Sequence, residues 1–171
     1  MGGSSTGSFL ESTALSVKAW RIVKQKYPAA QAFDGEGARL YGARWNSRGV
    51  SVVYAAGSQS LAVLEMLVHL DAADLLESYV LFEVKIDEAL MRALVEADLP
   101  LDWRSNPPPP RLREMGDLWA ASRASVALRV PSSLIPEEYN YLLNPKHPEF
   151  GKLEFSHATP FRYDARLAER K

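Results

Sequence analysis

A chain of 171 residues with 47% apolar and 24% charged side chains has the composition of a soluble globular protein with one core, and not that of a disordered tail. Its formal net charge of −1 supplies no basic footprint for phosphate backbones, which disfavours direct binding of DNA or RNA. With no cysteine, disulfides, iron–sulfur clusters and thiol catalysis are excluded, and His69, His147 and His157 lack zinc-motif spacing, so no metal is expected.

The Gly/Ser/Thr-rich residues 1–15 read as a disordered extension or an expression remnant, leaving 16–171 as a single domain. No basic segment precedes an apolar run at the start, and no run is long enough to span a bilayer, so a cytoplasmic protein is expected.

Residues 19–23 (AWRIV) predict a short first strand with one charge, Arg21. On pattern alone an edge-strand arginine turned to water reads as well as a functional one. Residues 24–41, with Pro28, Gly35 and Gly37, predict a long loop with an extended piece near 39–41. Its GEGARLYG spacing resembles a phosphate-binding glycine loop only loosely, because the following Lys-Ser/Thr is missing.

Asn46-Ser47-Arg48-Gly49 is turn chemistry, and the β-branched run 50–55 predicts a buried strand. Gly57-Ser58 breaks that strand, and Ser58 or Ser60 can cap the helix that follows. Over 61–70 the helix reads LAVLEMLVHL, where the neighbours of Glu65 one turn away are Leu61, Ala62, Val68 and His69. A carboxylate in such surroundings needs a cation or several donors to remain ionised. The order loop, strand, tight turn, helix draws Arg44, Tyr54 and Glu65 towards a common pocket.

Residues 78–86 (SYVLFEVKI) alternate as a half-buried strand, and Asp87 suits the N-cap of a helix over 88–97 that Pro100 closes. Residues 103–110, with four consecutive prolines, predict an extended connector over the surface; the alternative is an SH3-type ligand. Pro110 suits the first turn of a helix over 111–122 with Leu112, Met115, Leu118 and Trp119 on its apolar side. Residues 125–130 alternate again and end in Pro131-Ser132-Ser133, which presents a hydroxyl at a sheet's end or makes a turn in which Ser132 bonds only backbone. NYLLN (140–144) leads into the rigid Pro-Lys-His-Pro turn, 150–156 and 159–163 offer the last strands, and 164–171 a short polar helix. Strands outnumber helices without strict alternation, so the fold class is α+β.

An arginine fork suits a pyrophosphate, a tyrosine gives a flat face to a heteroaromatic ring, and a carboxylate stabilises positive charge at an anomeric carbon. Arg44, Tyr54, Glu65 and Ser132 together describe a site for a dinucleotide whose N-glycosidic bond is broken. A structural ion pair between an arginine and Glu65 accounts for the same residues.

The chain resembles the RES-domain toxin family of bacterial type II toxin–antitoxin systems. The matching segments are AWRIV (19–23), GARWNSRGVSVVYAAGSQSLAVLEMLVHL (42–70), VPSSLIPEEYNYLLNPKHPEF (130–150) and TPFRYDARL (159–167). Residues 71–121 match only in strand and helix pattern, and Gly42-Ala43 departs from the more usual glycine-rich lead into the arginine. The resemblance implies an ADP-ribosyltransferase-like mixed sheet core with flanking helices, NAD+ as substrate, and growth arrest by ADP-ribosylation of a protein target or by NAD+ depletion.

Under that resemblance Arg44, Tyr54, Glu65 and Ser132 match the catalytic set, while Arg21, Arg44, Tyr54 and Asn140 match residues that hold the dinucleotide. Arg21 and Arg44 then serve phosphate or ribose, Tyr54 the nicotinamide ring and Glu65 the nicotinamide ribose, with Ser132 orienting that end. The implied partner is a cognate Xre-type helix-turn-helix antitoxin that blocks the pocket in a hetero-oligomer and itself contacts DNA. A non-catalytic NAD-binding or protein-interaction module is the alternative.

Overall fold

The computed structural model describes residues 15–170, so the expected disordered extension lies, except for Leu15, outside the described residues. Eight strands form one sheet: β1 (Ser16–Lys24), β2 (Val53–Ala56), β3 (Tyr79–Asp87), β4 (Met91–Ala93), β5 (Ala127–Pro131), β6 (Tyr139–Leu143), β7 (Glu154–Phe155) and β8 (Thr159–Phe161). Their order is β4-β5-β6-β2-β1-β3-β7, with β8 also pairing β3. Among the described strand pairs, only β4 and β5 run parallel. Four α-helices flank the sheet: α1 (Glu36–Tyr41), α2 (Gln59–Leu67), α3 (Ala72–Leu75) and α4 (Pro110–Ser122).

Strand alternation sorts the core into faces. Ala19, Val53, Ala55, Val84, Ile86, Tyr141 and Leu143 close one face. The other face carries two clusters. Ile22, Ala56 and Tyr79 lie with Leu61 and Ala62 of α2, and Leu128, Val130 and Leu142 lie with Trp45, Trp103 and with Leu112 and Trp119 of α4. The seam between these clusters runs along β2 and β6, and it is there that the candidate site lies.

β1 is an interior strand, paired with β3 over its whole length but with β2 at a single position, Trp20 opposite Ala56. The sheet therefore parts between β1 and β2 beyond that pair. An edge-strand reading of Arg21 is excluded by this neighbourhood.

Several elements differ from their sequence expectations. The helix predicted over 88–97 is a single 3-10 turn, Glu88–Leu90, followed by β4. Asp87 does cap that turn, accepting from the Ala89 amide at 2.9 Å. The chain then lies down on β5, where Val126 N–H donates to Leu90 O and Leu94 N–H to Arg129 O. Sheet pairing at an open edge outweighs helix propensity in so short a segment.

The loop predicted over 24–41 contains a 3-10 turn, Ala29–Phe33, and then α1, entered through Gly35 at φ 70° and left through Gly42 at φ 69°. The strand expected over 50–55 pairs only from Val53, although Ser51 and Val52 are buried. The proline segment is not merely a surface connector, because Trp103 at its start is buried. In α4 the buried positions are Leu112, Gly116 and Trp119, whereas Leu118 faces outward. The tail is a 3-10 helix, Ala165–Arg170, and the strand expected over 150–156 shrinks to β7. No helix among the described residues is long and apolar enough to cross a membrane.

Candidate active site

Ser58 starts α2, its hydroxyl accepting from the Leu61 amide at 3.0 Å and donating to Glu138 Oε2 at 2.7 Å. This cap ties the helix that carries Glu65 to the turn between β5 and β6. At that turn Ser132 is fully buried, and its Oγ donates to Glu65 Oε1 at 2.9 Å. The same Oγ accepts from the amides of Leu134 at 3.1 Å and Ile135 at 3.2 Å. The reading in which Ser132 bonds only backbone is therefore corrected: it does close the turn, but it also presents its proton to the carboxylate. Two backbone donors on that oxygen polarise the hydroxyl and strengthen its bond to the anion.

Asn140, the first inward residue of β6, donates from Nδ2 to the same Glu65 oxygen at 2.6 Å. Glu65 is therefore held by two side-chain donors on Oε1, while no protein hydrogen bond reaches Oε2 among the described residues. Glu65 and Asn140 are half-buried, so solvent reaches the cluster.

Arg44 forms no ion pair with Glu65, although it feels the charge of that carboxylate. Its Nη1 donates to Trp103 O at 2.7 Å, and Nη1 and Nη2 both reach Ser105 O at 3.2 Å. Burial lowers its pKa from the usual guanidinium value, opposed by the nearby charge of Glu65 and by Tyr54. The arginine–glutamate ion pair entertained from sequence is thus replaced by two separately anchored charges within electrostatic reach.

Tyr54 points its hydroxyl away from solvent, donating to Asn46 Oδ1 at 2.7 Å and accepting from the Trp45 amide at 3.2 Å. Desolvation raises its pKa well above the ordinary tyrosine value, which keeps it a neutral donor. The ring is only half-buried and borders the seam.

Arg21 is not brought to this cluster, a departure from its predicted pocket-lining place. It sits opposite Phe82 in the β1–β3 register, on the face of Ala19 and Ala55, whereas Glu65 packs over the face of Trp20 and Ala56. Period-two alternation makes that outcome unavoidable for an odd-numbered neighbour of Trp20. Its Nε donates to Ala32 O at 2.6 Å and its Nη1 to Tyr54 O at 2.7 Å, filling the parting between β1 and β2. Burial lowers its pKa to about 10, with Asp34 opposing the shift. Its placement makes it a brace for the strand that carries Tyr54.

Sequence reasoning missed the residues that hold the Arg44 loop. Asn46, read only as turn chemistry, is fully buried and donates to the carbonyls of Ala38 at 2.9 Å and of Ser47 and Val50 at 3.1 Å while accepting from Tyr54. From α4, Arg113 donates to Ala43 O at 3.2 Å and Asp117 accepts from the Ser47 amide at 2.9 Å. Between them Gly116 lies so close that a Cβ there would stand 1.7 Å from Trp45 O. The only sequence signal was a glycine inside a helix whose apolar stripe it interrupts. A surface cavity of about 220 Å³ opens behind the same loop, lined by Ser51, Asp117, Arg123 and Lys146, and is separate from the Glu65 cluster.

The fold is a mixed α+β sheet with flanking helices, and at the end of its β5–β6 corner Glu65, Ser132 and Asn140 are joined by hydrogen bonds. The family model described as "RES domain" matches residues 18–164, and the chain belongs to that family. It is 40% identical over 149 residues to "Toxin Res" of Yersinia enterocolitica serotype O:8 / biotype 1B, covering 86% of this chain and 97% of that protein. It is 38% identical over 152 residues to "Prs ADP-ribosylating toxin" of a Sphingobium species, covering 86% of this chain and 94% of that one. In fold it is similar to a chain of the M. tuberculosis MbcT–MbcA toxin–antitoxin complex, with TM-score 0.72 and 17% identity over 92% of this chain and 89% of the other.

Proposed function

We propose that this chain is the toxin of a type II toxin–antitoxin pair and that it breaks the nicotinamide–ribose bond of NAD+. The observation that carries the reading is the treatment of Glu65. Two side-chain donors pin one carboxylate oxygen, no protein hydrogen bond occupies the other among the described residues, and Arg44 lies within electrostatic reach. An enzyme that develops positive charge on a ribose needs such an anion, fixed before the reaction begins. The relative named as an ADP-ribosylating toxin supports the same chemistry.

In this reading Tyr54 offers its half-buried ring face to nicotinamide, and Arg44 meets phosphate. The C–N bond breaks with its electron pair leaving on neutral nicotinamide, and the ribosyl cation that remains is stabilised by Glu65. An acceptor then forms the new bond and loses a proton: water yields ADP-ribose, phosphate yields its 1-phosphate, and a protein side chain yields an ADP-ribosylated target. Ser132 and Asn140 position the glutamate rather than react. A helix-turn-helix antitoxin of the Xre type is the proposed partner that closes the site, in keeping with the toxin–antitoxin complex that shares the fold.

The test is incubation of the purified chain with NAD+, with and without phosphate and with cell extract, followed by mass analysis of small molecules and of intact proteins. Free nicotinamide with one ADP-ribose product is expected. Stoichiometric NAD+ binding with no nicotinamide released would make the chain a binding module instead.

A further inference from the structure

We propose that Arg104 is a binding residue for the pyrophosphate of the dinucleotide, working beside Arg44; this rests on the reading of the site as an NAD+ pocket. No sequence motif draws the eye to Arg104. Its surroundings do.

Arg44 donates to Trp103 O at 2.7 Å and to Ser105 O at 3.2 Å, the carbonyls on either side of Arg104. The backbone of Arg104 is thus tied to the Arg44 loop through both neighbours. In the other direction Arg104 Nε donates to Ser133 O at 3.2 Å, next to the Ser132 whose hydroxyl holds Glu65. The turn at 103–105 therefore spans from the Arg44 loop to the Ser132 corner, and the Arg104 guanidinium meets that corner one residue from the serine that holds Glu65.

Availability of donors separates it from the other arginines nearby. A guanidinium carries five N–H groups. Arg104 is exposed, uses one of them, and pairs with no carboxylate among the described residues. Arg44 has committed both Nη atoms to carbonyls, and Arg21 lies on the other sheet face with Nε and Nη1 engaged. Arg113 is half-buried and donates to Ala43 O. A pyrophosphate brings two negative charges and more acceptor oxygens than the remaining N–H groups of Arg44 can serve. Arg104 supplies an uncommitted fork on the same turn, suited to bidentate phosphate contact.

The experiment measures ADP-ribose affinity by calorimetry and the kcat and KM of nicotinamide release, for the parent chain, Arg104→Ala, Arg104→Lys and the charge-matched Arg111→Ala, whose arginine pairs with Glu114 elsewhere on α4. Loss of one charge-assisted phosphate contact is expected to weaken ADP-ribose binding and raise KM by about tenfold, with kcat changed less than about threefold. Arg104→Lys should recover part of the loss, and Arg111→Ala should match the parent. Only one exposed hydrogen bond ties Arg104 to the fold, so unchanged thermal unfolding is expected to accompany the loss. Equal affinity and KM in the parent and in Arg104→Ala, with NAD+ still cleaved, overturns the assignment of Arg104 alone. A parent chain that neither binds ADP-ribose nor releases nicotinamide overturns the pocket reading, and this proposal with it.

Discussion

Residues 42–70 and residues 88–122 build the same site by different means. The first stretch supplies the side chains proposed to carry the chemistry: Arg44 on a loop, Tyr54 on β2 and Glu65 on α2. The second supplies mostly surfaces and backbone. Carbonyls of Trp103 and Ser105 hold Arg44, the missing Cβ of Gly116 admits Trp45, and Arg113 and Asp117 clip the loop at Ala43 and Ser47. Candidate reactive side chains can be recognised one at a time, whereas a clamp made of carbonyls and a close approach is shared among groups that every residue owns. Losing the charge of Glu65 in the first stretch should therefore change rate without stability, and filling the close approach at Gly116 in the second should change stability first.

Glu65→Gln should show the largest effect of the first kind. The amide oxygen can still accept from Ser132 and Asn140, so packing and both hydrogen bonds survive while the charge is lost. Nicotinamide release is expected to fall by about 10²–10³, the loss typical of removing one preorganised electrostatic contact to a transition state. Unfolding in urea should be unchanged. A variant that cleaves NAD+ at the parent rate would show that Glu65 is structural.

Gly116→Ala tests the clamp. A methyl group placed 1.7 Å from Trp45 O has no flexible neighbour to displace, only the backbone of the Arg44 loop. Separation of α4 from that loop should cost about 2–4 kcal/mol, read as a lower urea midpoint. Wild-type stability in this variant would mean that α4 does not hold the loop as closely as described.

The same contrast explains how much of the molecule was legible in its sequence. The mixed α+β architecture, the α2 cap at Ser58, β3 and the position of α4 follow from local signals of apolar period, capping and proline placement. Glu65 stood out because a carboxylate interrupts an apolar helix, and Ser132 because a strand ended in Pro-Ser-Ser. Three features escaped. β4 reads as helix because EALMRAL has helix-forming residues, and only an open edge beside β5 makes it a strand. The face of Arg21 depends on register, which a five-residue apolar run does not reveal. The burial of Asn46 depends on three carbonyls brought from α1 and the following turn, none visible in its local sequence.

Tyr54→Phe probes the joint between the two stretches. It removes the acceptor of the Trp45 amide and the donor to Asn46 Oδ1, groups with no water-facing substitute, and should cost about 1–3 kcal/mol near neutral pH. The pH dependence gives a second reading. Burial holds the folded pKa of Tyr54 above its ordinary value of 10.0, so the unfolded chain loses this proton first. The stabilisation is complete below about pH 10 and is lost as pH rises towards the raised folded value. The phenylalanine variant lacks this loss, so the stability gap between parent and variant should narrow above about pH 10. A gap that is constant from pH 7 to about 11 would mean that the hydroxyl is not buried as described.

The smallest expected effect belongs to Ser58→Ala, where the first stretch is tied to the β5–β6 turn. Removing the hydroxyl leaves the Leu61 amide uncapped and releases Glu138, for about 1 kcal/mol. The consequence for the site exceeds what that figure suggests, because Ser58 is the link between the helix bearing Glu65 and the turn whose two ends bear Ser132 and Asn140. If these two donors are positioned through that turn, Ser58→Ala should lower kcat several-fold while leaving KM near the parent value, since Arg44 and its carbonyl anchors lie outside the affected contacts. Ser58→Thr keeps the capping oxygen and should restore both stability and kcat. A loss of stability with kcat unchanged would show that Ser132 and Asn140 are held by the sheet alone, and that the cap serves only the helix.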